Sequence, residues 1–200
     1  PDGKRKIENA LWGMIAPWSK DLTNAIKSQS SSINARSESV WEKPTFRSSF
    51  TLHRCLIPAT GYYEWATELG PYKTKQPFYI TARPNSLIES PSLAFTGIYA
   101  NWIDPITNRS YQSTSLITKN STGKLATIHS RMPLFLPAEL WDTWLKPGKE
   151  NVDQLRSILA QCLDDSFLVP IPVSDRVNSI RNNGEDLVEE INPGHPGTLF

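Results

Sequence analysis

Glu64 stands in Gly61-Tyr62-Tyr63-Glu64-Trp65-Ala66-Thr67, a run otherwise built for burial. Aromatic residues opening at a glycine read as a β-strand. Alternation places Glu64 on one face with Tyr62 and Ala66, and Tyr63 and Trp65 on the other. A carboxylate there is either an edge charge paired with a lysine or a group inside a pocket. In a pocket its pKa rises, which suits general acid/base work near neutral pH. His129 is one of three histidines and lies in Ala126-Thr127-Ile128-His129-Ser130-Arg131-Met132-Pro133, too irregular for a regular element. Beside Arg131 on a constrained turn it can shuttle protons next to an anion. The equal alternative is a turn histidine satisfying a backbone carbonyl. Asn34 and Arg36, in Ser32-Ile33-Asn34-Ala35-Arg36, follow a serine-rich stretch. By default they are a helix cap and a surface charge; the alternative is a pair contacting phosphate and sugar. His53 reads as a surface residue and His195, in a Pro/Gly-rich tail, as solvated. A Cys55/His129 hydrolase is disfavoured, because Cys55 lies in an apolar strand where a thiol is ordinarily inert.

The elements that must hold these groups follow from composition and pattern. The chain has 200 residues, 21 Lys+Arg against 20 Asp+Glu, and 38% apolar residues. That suits one folded core and excludes both wholesale disorder and a uniformly basic coat. Sixteen prolines favour short strands and fixed corners over a helical bundle. Strands are expected over 9–18 (broken at Gly13 and ended by Pro17), 54–58, 61–67, 76–81, 93–102, 111–118 and 168–173. Residues 19–32 read as polar, ending in a flexible serine loop. Short helices are expected over 37–42 and 47–53, and longer ones over 137–145 and 151–163. The last has Asn151 as cap and Val152, Leu155, Ile158, Leu159 and Cys162 on one face. The fold class is α+β, with a curved, barrel-like, mostly antiparallel sheet and peripheral helices. Residues 1–191 form one domain and 192–200 a tail. No CxxC, no His/Cys cluster, no GxGxxG and no P-loop occur, so neither metal nor cofactor is expected. No apolar run of about 18 residues exists to span a membrane, and no signal-peptide pattern opens the chain.

Seven stretches in order carry a more specific message. They are Trp12-Gly13 with Pro17-Trp18; Ile33-Asn34-Ala35-Arg36-Ser37-Glu38; Lys43-Pro44-Thr45-Phe46-Arg47; Arg54-Cys55-Leu56-Ile57-Pro58-Ala59-Thr60-Gly61-Tyr62-Tyr63-Glu64-Trp65; Lys75-Gln76-Pro77-Phe78; Ile128-His129-Ser130-Arg131-Met132-Pro133; and Pro172-Val173-Ser174 with Val177-Asn178 and Asn183-Gly184. Together they resemble the SOS-response-associated peptidase (SRAP) family, whose members attach covalently to abasic sites in single-stranded DNA. The resemblance implies Glu64, His129 and Asn34 as catalytic residues. It implies Arg36, Arg131, Trp18 and Thr118 as DNA-contacting residues. In the implied chemistry an N-terminal cysteine, exposed by autoproteolysis, condenses with the ring-opened aldehyde. Its amine gives an imine, and its thiol closes a thiazolidine. The implied partner is single-stranded DNA with abasic sites, met by a monomer in the cytoplasm and nucleoid, or in a nucleus. The sequence departs in one respect. The family's nucleophile follows the initiator methionine, whereas this chain begins at Pro1. The N-terminal portion is expected to be missing from it, and the chain as written is not expected to form the thiazolidine. Two other readings stay open: a non-covalent binder of single-stranded or damaged DNA, and a Glu64/His129 hydrolase.

Overall fold

In the computed structural model, residues 5–83 and 92–193 are described. His195 and the rest of 194–200 lie outside the described residues. In chain order the elements are β1 (Leu11–Trp12), α1 (Leu22–Gln29), β2 (Asn34–Arg36), α2 (Pro44–Leu52), β3 (Arg54–Ala59), β4 (Gly61–Trp65), β5 (Pro77–Ala82), β6 (Leu93–Ile103), β7 (Ser110–Asn120), β8 (Arg131–Pro133), α3 (Trp141–Leu145), α4 (Val152–Leu159) and β9 (Leu168–Pro172). The class is α+β, as expected. The chain divides into two compact units, one of Pro1–Ile57, Ala94–Lys119 and Pro133–Leu163, the other of Pro58–Leu93, Asn120–Met132 and Asp164–Phe200.

A sheet ordered β1-β7-β6-β3, with β2 and β8 also paired to β7, belongs largely to the first unit. β6 and β7 are antiparallel, with Gly97 opposite Leu116 and Ile103 opposite Ser110. β1 and β2 instead run parallel to β7, in successive register at Ser113–Thr114 and Leu116–Thr118. Ile98 and Ile117 of the sheet pack with Phe50, Trp144 and Leu155, all nearly inaccessible. Each such burial contributes about 1.5–3 kcal/mol. Asn151 caps α4 through its side-chain oxygen, and the expected apolar face packs into this core. Arg54 is buried and gives its donors to carbonyls: Nε to Trp144 O at 2.9 Å, Nη1 to Phe50 O at 3.2 Å, and Nη2 to Gly148 O at 3.2 Å and to Lys146 O. Burial lowers its pKa.

Three expectations about this unit are corrected. The strand expected over 9–18 shrinks to Leu11–Trp12. Beyond Gly13 the amide donors leave the ladder: Met14 N–H reaches Ser32 O, Ile15 N–H reaches Ser113 Oγ and Ala16 N–H reaches Ser28 Oγ. The polar stretch 19–32 contains α1, capped by Asp21, whose Oδ1 accepts Asn24 N–H at 2.8 Å. Its serines do not loosen the chain; Ser28, Ser30 and Ser31 each donate to a carbonyl three residues back. Residues 37–42 form turns and no helix, and α2 starts at Pro44, a residue well suited to a first helical turn.

The second unit is built on the antiparallel sheet β4-β5-β9. Glu64 lies opposite Phe78 and Tyr63 opposite Tyr79. Phe78, Ile80, Ile128, Met132 and Val173 are buried in it.

Candidate functional site

In the second unit the structure brings Glu64 and His129 together. Glu64 Oε2 lies 3.6 Å from His129 Nδ1, with both side chains partly accessible. The expected alternation holds. Tyr62 shares the Glu64 face, and its phenol is pushed well up by burial and by the carboxylates of Glu64 and Asp165. Tyr63 faces the other way, with its ring against Tyr79 and its hydroxyl donating to Leu187 O. Burial raises the Glu64 carboxyl above the usual carboxylate range; the His129 charge and the Trp65 N–H, which donates to Oε1 at 3.2 Å, pull the other way. Glu64 is therefore a partly desolvated carboxylate facing an imidazole, and no lysine pairs with it among the described residues.

His129 Nδ1 lies 3.1 Å from both the amide nitrogen and the carbonyl oxygen of Arg131. With the ring proton on Nε2, Nδ1 accepts the Arg131 N–H. With Nδ1 protonated, it donates to the carbonyl and faces the Glu64 carboxylate. The contact with a backbone carbonyl expected of a turn histidine is present, and the same nitrogen also faces Glu64. Arg131 Nη1 donates to Asn120 Oδ1 at 2.6 Å, which orients the guanidinium at the same turn.

Thr67 and Gly70, which sequence reasoning gave no role, tie β4 and the loop after it to the His129 turn. Thr67, just past β4, donates both its N–H (2.8 Å) and its hydroxyl (3.1 Å) to Ile128 O. Gly70 lets the chain lie flat against this turn: a Cβ there would stand 2.2 Å from Thr127 O. Trp65 Nε1 donates to Asn178 Oδ1 at 2.8 Å, tying β4 to the segment after β9. A threonine or glycine in a loop carries no local signal of such a contact.

In the first unit, Asn34, Ala35 and Arg36 form β2, with Ala35 buried and the two polar side chains exposed. Asn34 caps no helix. Arg36 is in register with Thr118 on β7, and Ser37 N–H continues the ladder to Thr118 O at 2.8 Å. Thr118 is buried, while Arg36 beside it is exposed. Trp18 lies beyond β1 and is 59% exposed; Trp12, on β1, is 66% exposed and donates from Nε1 to Ile33 O at 3.2 Å. Exposed tryptophans can stack bases, and exposed asparagine and arginine side chains can hold sugar and phosphate.

Burial pushes the Cys55 thiol up to about 11, so it is not a nucleophile near neutral pH. His53 is corrected from surface to half-buried: its ring packs on Tyr99 at 5.0 Å, and burial lowers its pKa. Among the described residues, no three His, Cys, Asp or Glu side chains group as metal ligands, and no helix is long and apolar enough to cross a membrane.

A family model for SOS response associated peptidase (SRAP) matches residues 1–180. Abasic site processing protein YoqW of Bacillus subtilis is 39% identical over 184 residues, covering 92% of this chain and 76% of the relative. Abasic site processing protein HMCES of Rattus norvegicus is 30% identical, covering 86% of this chain and 53% of the relative. A crystal structure of a Bacteroides thetaiotaomicron protein superposes with a TM-score of 0.77 at 27% identity, covering 90% of this chain and 75% of that one. With the ordered motifs, the α+β fold and a match across nine-tenths of its length, the chain belongs to the SRAP family.

Proposed function

We propose that this protein processes abasic sites in single-stranded DNA as part of the DNA damage response, working where DNA is kept, as a monomer. The observation that carries the reading is the partly desolvated Glu64 carboxyl facing His129 across 3.6 Å. In the chemistry this reading invokes, the amine of an N-terminal cysteine adds to the lesion aldehyde and forms a C–N bond. The resulting carbinolamine loses its hydroxyl as water, which needs a proton donor; a carboxyl with a raised pKa is suited to give it. The cysteine sulfur then adds to the imine carbon, and its proton passes to the imine nitrogen, closing the thiazolidine. His129 takes and returns protons in these steps through a ring already in contact with Glu64. Asn34 holds the amine and opened sugar by hydrogen bonds. Arg36 and Arg131 hold phosphates, Trp18 stacks on a base, and Thr118, in register with Arg36, adds a further DNA contact.

The test uses the full-length gene product with its natural start and an oligonucleotide carrying one abasic site, with adducts read on a denaturing gel. Adduct formation is expected with the lesion and not with intact DNA. Glu64→Gln is expected to slow it roughly 10²–10⁴-fold. An undiminished rate in that variant removes Glu64 from the chemistry, and no adduct at all removes the covalent reading.

A further inference from the structure

Asp165 is a carboxylate the mechanism above does not use, and it is 9% exposed. A buried carboxylate is costly unless its lone pairs are satisfied. Here both oxygens are spent on one short segment. Oδ1 accepts the Thr122 hydroxyl at 3.1 Å, and Oδ2 accepts the Leu125 N–H at 3.1 Å. Gly123 lies between these two donors with φ +48°, and a Cβ on it would stand 2.3 Å from Asp165 Oδ1. Only glycine lets the turn close this tightly over the carboxylate.

The same peptide that donates to Asp165 reaches forward to the site. Leu125 O accepts the His129 N–H at 3.0 Å. The Leu125 peptide is thus held at its N–H by Asp165 Oδ2 and engaged at its carbonyl by the backbone of His129. From the opposite side, Ile128 O is held by Thr67, three residues beyond Glu64. His129 is clamped between a tether to the Glu64 strand and a tether to Asp165.

We infer that Asp165 is a positioning residue for His129, acting through the Thr122–Leu125 turn to set the imidazole against Glu64. The inference rests on the proposed role of the Glu64–His129 pair, and it names a group outside that pair on which the chemistry depends. Misplacement of a reacting group by about 1 Å can cost on the order of 10²-fold in rate. Asp165 bonds to Thr122 and Leu125, neither of which belongs to the DNA-contacting set, so the loss is expected in rate more than in strand binding.

The experiment compares wild type, Asp165→Ala, Asp165→Asn and Thr122→Val in the full-length protein. Three readouts are used: ring nitrogen and proton NMR signals of His129 without DNA, affinity for intact single-stranded DNA, and single-turnover adduct formation. Asp165→Ala is expected to move the His129 ring signals and slow adduct formation roughly 10- to 100-fold, at unchanged DNA affinity. Asp165→Asn keeps one accepting oxygen for the Leu125 N–H and is expected to recover most of the rate. If Asp165→Ala does not fold, Thr122→Val, which removes a single hydroxyl, carries the comparison with a smaller shift of the same signals. Folded variants with wild-type His129 signals overturn the inference. So does a loss shared equally by affinity and rate, which would make the role one of general stability. If wild type itself forms no adduct, the proposed function fails while the ring signals still decide the role of Asp165.

Discussion

The turn around His129 and the strand Asn34–Arg36 are both short, irregular in sequence and rich in polar groups, yet they are built in opposite ways. Around His129 nearly every backbone group is used: its own N–H, the Ile128 carbonyl and the Arg131 N–H all have partners within 3.1 Å, and the facing carboxylate is partly desolvated. At β2 the backbone is equally paired, but Asn34 and Arg36 reach outward unburied. The difference fits the two demands of the proposed function, proton transfer at Glu64 and His129 and phosphate holding at Arg36, with Asn34 and Arg131 each assigned across that division. Proton transfer needs a fixed donor–acceptor distance and a low-dielectric setting to shift pKa values. Holding a flexible, charged strand needs reach and solvent-facing cations, with geometry set by the ligand.

The largest expected effect tests that division directly. Glu64→Gln should cut single-turnover adduct formation by roughly 10²–10⁴-fold while leaving affinity for intact single-stranded DNA within a factor of about two. If gel-shift affinity falls in parallel with rate, the two regions do not divide the labour. Next is Trp18→Ala, which should weaken single-strand binding by ~1–3 kcal/mol with little change in the rate at saturating DNA. Comparable in energy, but on stability, is Gly70→Ala. The new methyl meets Thr127 O, and relief requires the chain to shift, costing ~1–3 kcal/mol in a thermal or urea melt. An unchanged melt would mean the His129 turn yields freely. Arg36→Ala should leave the melt within about 0.5 kcal/mol. Its mark is a log-affinity against log-salt slope shallower by about one unit.

The smallest effect is a pH dependence. The folded state raises the Glu64 pKa, so the folded protein holds that proton more tightly than the unfolded chain. Its contribution to stability is fully present below the ordinary carboxylate range and is lost as pH rises through the raised folded value. Glu64→Gln should therefore melt at a higher temperature than wild type at neutral pH, and the gap should close on acidification. A gap that widens toward acid would reverse the sign of the burial effect.

Much of the second unit is legible because its signals are local. The face of Glu64 follows from strand alternation around Tyr62 and Tyr63; in the first unit, α4 is announced in the same local way by Asn151 and a 3.6-residue apolar period. α1 is less visible, since its serines read as loop formers until Asp21 and the buried Ala25 are considered together. The parallel docking of β1 and β2 leaves no trace in either segment, because the edge that receives them is more than seventy residues away in sequence. The contacts of Thr67, Gly70 and Asp165 are likewise long-range, and their residue types are ordinary in loops. The roles assigned to Asn34, Arg36 and Trp18 came from ordered motifs; their side chains alone fit a helix cap and surface groups equally well.

β7 receives β1 and β2 along one edge, and this has a consequence for assembly on the ribosome. Ile15 is bonded to Ser113, 98 residues later. At roughly 5–20 residues per second, the first strand waits about 5–20 s for its partner to be made. During that interval Leu11, Trp12 and Ile33 have no edge to dock against. The early chain is then an exposed apolar segment awaiting its template, and its yield in the cell should depend on chaperone capacity more than its final stability would suggest.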